Sequence, residues 1–258
     1  MSGPVDEIDR LEPTQRPPGQ PAGFHRWSKL LFLHWPVRES ELRPLVPEAL
    51  TIDTFEGKAW IGLVLFQMSK VRPRWFPAIP GVSSFPEFNV RTYVHRDGAD
   101  PGVWFFSLDA GKSLPVHIAR WRWKLPYYRA AMRVKSGGRR VAYHSERLWP
   151  GVVGPGVEAE TEFGDLIGTF NKDLTPGQAT PGTLEHFLAE RYLLYCQSPN
   201  KELFRGRVHH TPYPLREARV ENLTETLLAA SSITRPETPP HVLYSEGVEV
   251  EVFPLERV

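Results

Sequence analysis

The clearest period along the chain is two. Arg140 to Glu146 and Val157 to Phe163 alternate apolar with polar residues, the pattern of a half-buried strand. With Ala130 to Val134 and the Gly137-Gly138 turn they predict a meander of antiparallel strands. Val90 to His95 and Val103 to Asp109 read as two further strands flanking the Gly- and Pro-punctuated link from Asp97 to Gly102, a hairpin signal. The run from Lys58 to Met68 is apolar on both faces, as in a strand buried twice over. Strand patterns also begin near Phe24, with Trp27, Leu30, Leu31 and Phe32, and recur at Phe204 to His210, Leu215 to Val220 and His241 to Phe253.

Helical spacing is rarer. Leu184, Phe187, Leu188, Tyr192 and Tyr195 recur at threes and fours behind the capping residue Thr183, which predicts one long helix from Thr183 to Cys196. Short helices are expected from Arg38 to Arg43, stopped at Pro44, and from Thr224 to Ala230. A segment of helical spacing after Asp109 carries Lys112, His117, Arg120, Arg122 and Lys124. Val71 to Phe85, rich in Pro, Trp and Phe, reads as a rigid loop bearing aromatic rings. Residues 1–22 are Pro-rich and polar and read as a flexible tail, leaving 23–258 as a single domain. The fold class is mainly β (α+β), largely antiparallel.

Composition narrows the function classes. The net charge is +1 with acids and bases interleaved, which argues against nucleic acid and against an anionic membrane surface as partners. Eight Trp and fourteen Phe in 258 residues supply a sizeable core, and no apolar run approaches the roughly 20 residues of a membrane helix. The lone Cys196 excludes an internal disulfide, and the N-terminus lacks the basic and apolar regions of a secretory signal; a cytoplasmic location is expected. A small-molecule ligand is the expected partner, with homo-oligomerisation left open.

Several chemistries lack their residues. The nine histidines include the pair His209-His210, whose side chains would point to opposite faces of a strand, and no HExxH or Cys cluster is present, so no metal is expected. GxSxG and Gly-rich phosphate motifs are missing too, and no cofactor is expected. The Trp and Arg alternation from Ala119 to Lys124 matches an ordinary half-buried element. What remains is carbonyl or carboxylate chemistry between Pro86 and Tyr128. On the first strand Arg91, Tyr93 and His95 oppose Val90, Thr92 and Val94, with Glu87 at the entrance. On its partner Trp104, Phe106 and Leu108 oppose Phe105, Ser107 and Asp109. Arg91 and Arg120 are the candidate anion anchors, because a guanidinium fork matches a carboxylate. Tyr93, Trp104, Phe106 and His117 are candidate lining residues. Glu87 and Tyr127 are candidate proton donors or acceptors. A purely structural network of Arg and carboxylate groups accounts for the same charges.

The runs EFNVRTYV, GVWFFSLDA and ARWRWKLPYY, with FLHWP at 32–36, LVPEAL at 45–50, ERY at 190–192 and YSEGVEV at 244–250, resemble the YqjF-like group of uncharacterised bacterial proteins. That group is similar in turn to acetoacetate decarboxylases. The resemblance implies a large antiparallel β barrel or cone around an enclosed site, with a few peripheral helices. It also sets a chemical contrast. The decarboxylases place a reactive lysine in Gly-Phe-Pro-Lys-Lys, downstream of a catalytic glutamate to which Glu87 corresponds. This chain reads Lys124-Leu-Pro126-Tyr127-Tyr128. A phenol cannot form a Schiff base, so that route needs Lys124 or Lys112 to reach the pocket from elsewhere. The resulting expectation is an enclosed aromatic pocket for a small anionic or carbonyl-bearing molecule, with lyase-like or acid/base chemistry on a small oxo acid. The alternatives are a binding or sensor protein without chemistry, and a docking module using loop 71–85.

Overall fold

The computed structural model describes residues 8–112, 125–151, 153–168, 175–198 and 200–258. The alternating segments form strands β1 (Gly23–Val37), β2 (Thr51–Ile52), β3 (Ala59–Pro73), β4 (Phe85–Arg96), β5 (Ala99–Ala110), β6 (Tyr127–Gly137), β7 (Arg140–Trp149), β8 (Gly154–Leu166), β9 (Leu193–Gln197), β10 (Leu203–His209), β11 (Leu215–Glu225), β12 (His241–Val252) and β13 (Glu256–Arg257). They join one sheet in the order β13-β10-β9-β5-β6-β7-β8-β11-β12-β1-β3-β4-β2, and further pairings of β5 with β4 and of β10 with β12 return the sheet onto itself. The sheet is not wholly antiparallel: β5 runs parallel to both β6 and β9.

The β4–β5 hairpin turns through Asp97 and Gly98, with Arg96 paired to Ala99 and φ of +50° and +83° at the two turn residues. Two consecutive positive φ values are the requirement of a turn whose twist matches its strands, and Asp-Gly meets it cheaply.

β1, β3 and β4 form a wall with an apolar core on each side. Leu31, Leu33 and Trp35 join Ile61, Leu63, Leu65, Phe88, Val90 and Val94 in one core. Leu30, Phe32, Val64, Phe66, Met68 and Phe85 lie in the other. Each side chain so buried contributes roughly 2 kcal/mol, and the period of two fixes which core it enters. β4 therefore sends Glu87, Asn89, Arg91 and Tyr93 to the side of Phe85 and Phe32.

Three expectations need correction. The long helix ends at Ala189; Leu193–Gln197 is a strand between β10 and β5. Its residues are buried on both faces, so their apolar run matches helical spacing equally well. The short helix Glu39–Leu42 continues through Pro44 as a 3-10 turn, Arg43–Leu45, with the proline in its first turn, where no donor is needed. The hairpin strands are longer than their alternating cores, and β5 contains a bulge beside Phe106. Residues 8–22 lie against the sheet: Arg10 reaches buried Asp53 and Arg16 pairs with Glu251.

Candidate polar site on the inner face of β4

β4 is buried on both faces, yet one face is polar. Glu87, Asn89 and Arg91 are all buried, and Tyr93 is fully so. Pairing sets their neighbours: Gly62 of β3 lies beside Arg91 on one flank and His34 of β1 on the other. A Cβ at Gly62 would come within 2.9 Å of the His34 ring and 3.4 Å of Arg91 Cγ, so glycine is what lets these two side chains pack across the strand.

Arg91 Nη2 donates to the Leu188 carbonyl at 3.0 Å, and the guanidinium lies 5.8 Å from the Phe32 ring centroid and 5.7 Å from that of Tyr93. It forms no ion pair among the described residues. Its Nε and the Asn89 Oδ1 are buried without a hydrogen-bond partner. Tyr93 donates its hydroxyl proton to the same Leu188 carbonyl at 2.8 Å, so the 2.7 Å contact with His34 Nε2 is a bond that the imidazole donates. His34 is then a neutral ring with a bare Nδ1. Burial first, and the Arg91 charge second, hold its pKa well below 6.5.

Toward the start of β4, the Tyr127 hydroxyl donates to Glu87 Oε2 at 2.7 Å. Burial raises the Glu87 pKa to about 7, against the opposing hydrogen bonds from Tyr127 and Asn89. Burial, reinforced by the Glu87 charge, holds the Tyr127 phenol well above its usual range. The two residues that the sequence resemblance singled out, Tyr127 beside Pro126 and Glu87, are thus in direct contact. Of this pair only Glu87 titrates near neutrality, while the Tyr127 phenol stays protonated as its hydrogen-bond donor; an amine is not among these groups.

Glu87, Arg91, Tyr93 and Tyr127 therefore share one face. Trp104 and Phe106 do not: both are half-buried against the opposite core. The bulge beside Phe106 breaks the alternation of β5, so that Phe105 and Leu108 fall on one side together. Asp109 also faces away, paired with buried Arg147 at 2.5 Å. Lys112 is exposed. His117, Arg120 and Lys124 lie outside the described residues.

Sequence reasoning missed His34, Gly62, Glu190 and Tyr213. Glu190 accepts from the Tyr192 hydroxyl at 2.6 Å and from the Tyr213 backbone N–H at 3.0 Å, and burial raises its pKa to about 7. Reading 183–196 as one helix concealed this turn of chain. His34 had a usable signal: it continues the Leu30, Phe32 side of an alternating strand.

Two clefts open elsewhere. One, of about 530 Å3, is lined by Arg133, His144, Glu158 and Asn222; another, of about 540 Å3, by Glu185, Glu217 and His241. Neither includes Glu87 or Arg91. Among the described residues no group of three His, Cys, Asp or Glu side chains is placed to hold a metal ion. Nor is any helix long and apolar enough to cross a membrane.

Residues 25–249 match the family model DUF2071, described as an uncharacterized conserved protein. Uncharacterized protein YqjF of Bacillus subtilis (strain 168) is 38% identical over 231 residues, covering 90% of each chain. Among solved structures, the enduracididine biosynthesis enzyme MppR complexed with pyruvate superposes with a TM-score of 0.61 at 13% identity, over 93% of this chain and 91% of that one. An acetoacetate decarboxylase-like enzyme from Sphingomonas wittichii RW1 gives 0.61 at 12% identity, over 93% and 94%. Acetoacetate decarboxylase from Legionella pneumophila gives 0.58 at 11% identity, over 100% and 98%. At these identities the likeness shows the fold, which is acetoacetate decarboxylase-like.

Proposed function

The chain belongs to the DUF2071 family of uncharacterized conserved proteins, and from the polar face of β4 we propose that it binds a small anionic or carbonyl-bearing organic molecule there. Arg91 is the anion anchor and the Glu87–Tyr127 pair is the proton donor or acceptor. The single observation that carries this reading is Arg91: a buried guanidinium with no carboxylate partner among the described residues and with a buried, unpartnered Nε. A buried cation is costly unless it is paired, and a ligand carboxylate would both neutralise it and fill its fork. The fold supports the ligand's size class, since its relatives include an enzyme complexed with pyruvate.

The test is a thermal-shift and calorimetric titration with pyruvate, acetoacetate and lactate, alongside native mass spectrometry of freshly purified protein. At least one small carboxylic acid should bind saturably, and Arg91→Gln should weaken it about 10- to 100-fold, the worth of a charge-assisted hydrogen bond. No binding by any of these acids and no retained metabolite, or equal affinity in Arg91→Gln, would reject the reading. Glu87→Gln separates the roles: turnover lost with binding kept makes Glu87 a catalytic acid or base.

A further inference from the structure

Of the eight large apolar side chains exposed among the described residues, seven sit on or beside two loops: Trp75, Phe76, Ile79 and Val82 in the loop after β3, and Leu148 and Trp149 at the end of β7 with Val153 in the loop before β8. Strand register brings these loops to one rim. Phe85 opens β4, Glu87 pairs with Ala110 at the end of β5, Ala110 with Arg129 at the start of β6, and Arg129 with Trp149 at the end of β7.

The loop after β3 is braced, not slack. Pro77 and Pro80, with Pro73 at the end of β3, restrict its backbone. Ser83 closes it twice: its N–H donates to the Ile79 carbonyl at 2.9 Å, and its hydroxyl accepts from the Ile79 N–H at 2.9 Å. Trp75 packs edge-on against Phe76 and is nonetheless 79% exposed. A scaffold that holds large apolar side chains out in water marks a contact surface.

Charge identifies what it contacts. The chain has 30 acidic residues, but none between Glu56 and Glu87 and none between Glu146 and Glu158, the stretches that contain both loops. The nearby cations Arg72, Arg74 and Lys112 have no carboxylate partner among the described residues; Arg72 lies over the Phe24 ring at 4.4 Å. Aromatic and aliphatic side chains collared by unpaired cations fit the interfacial zone of an anionic bilayer, where the rings enter the headgroup layer and the cations meet lipid phosphates. A two-fold contact between copies would set this cationic patch against itself. The whole-chain charge of +1 conceals the segregation, which is why composition argued the other way.

We propose that this rim docks the protein on an anionic lipid surface. Glu87 and Tyr127 lie at the same end of the sheet, so docking turns the polar site toward the membrane.

The experiment is co-sedimentation with vesicles of phosphatidylcholine alone and of phosphatidylcholine with about one-third phosphatidylserine, at low and at high salt, with light scattering of the free protein in parallel. Retention is expected on the anionic vesicles only, falling as salt screens the cations. Trp75→Ser and Arg74→Glu should each weaken it at least about fivefold with an unchanged melting temperature, because both side chains are exposed. Equal retention on neutral vesicles, or none on anionic ones, overturns the proposal. So does concentration-dependent self-association that Trp75→Ser abolishes, which would give the rim to a second copy, or binding only to an acidic protein. Vesicle binding does not depend on Arg91, so this result and the ligand titration fail independently.

Discussion

Glu87 is stabilised in the core as the neutral acid, and that has a measurable sign. Its folded pKa of about 7 lies above the ordinary 4.5. Its contribution to stability is therefore fully present below about pH 4.5 and is lost as pH rises through 7. The full span is on the order of 3 kcal/mol. In Glu87→Gln the amide keeps an acceptor for Tyr127 and cannot ionise, so the variant should gain stability relative to the parent between pH 5 and 8. Urea midpoints of both proteins across that range test this; a constant difference would mean that Glu87 does not titrate there. Glu87, Arg91, Tyr93 and Tyr127 were legible because alternation in one strand and a motif beside Pro126 are local signals. His34 and Gly62 were not, since their importance arises from register across three strands, and register is a non-local quantity.

At the scale of elements, the turn between Ala189 and β9 shows where local pattern fails. Apolar residues at threes and fours predict a helix unless something else binds their backbone. Here β10 and β5 do so, and Gly102 permits the approach, since a Cβ there would meet the Leu193 carbonyl oxygen at 2.7 Å. The departing chain is held by Arg191, which pairs with Asp53 at 2.9 Å with both side chains buried, and lies 4.4 Å from the Phe187 ring centroid. Asp53 also takes Arg10 at 2.5 Å, from a partly exposed side chain. The two bonds should differ in weight. Asp53→Ala leaves Arg191 a buried unpaired cation and should cost roughly 3–5 kcal/mol. Arg10→Ala removes a more exposed partner while Arg191 still neutralises Asp53, and should cost at most about 1 kcal/mol. Denaturant unfolding of the two variants decides it; equal losses would make the N-terminal segment as much a part of the fold as β9.

Across the whole molecule, the fold class, most strands and the β4–β5 hairpin follow from period and turn residues, but closure does not: the pairings of β5 with β6 and β9 and of β10 with β12 unite segments that carry no mutual sequence signal. Closure nevertheless decides the chemistry, because it selects the side chains that share an interior. A Schiff base needs an amine whose pKa is lowered by burial or by neighbouring cations. Glu87 has a phenol as its neighbour instead, and among the described residues no lysine is buried: Lys29 is half-buried, while Lys58, Lys70, Lys112, Lys135 and Lys201 are exposed. Borohydride reduction in the presence of acetoacetate or pyruvate should therefore leave the protein mass unchanged. Lys124, two positions before Pro126 and flanked by Trp123, is the residue best placed in sequence to defeat this. A stable mass increase that vanishes in Lys124→Ala would restore imine chemistry, with Tyr127 as the hydrogen-bond partner of the acid. An increase that persists there and vanishes in Lys112→Ala would move the amine to the rim. An unchanged mass, together with saturable binding of the same acids, leaves a site that holds these acids without an imine, with Glu87 as its one group titrating near neutrality among the four that share this face.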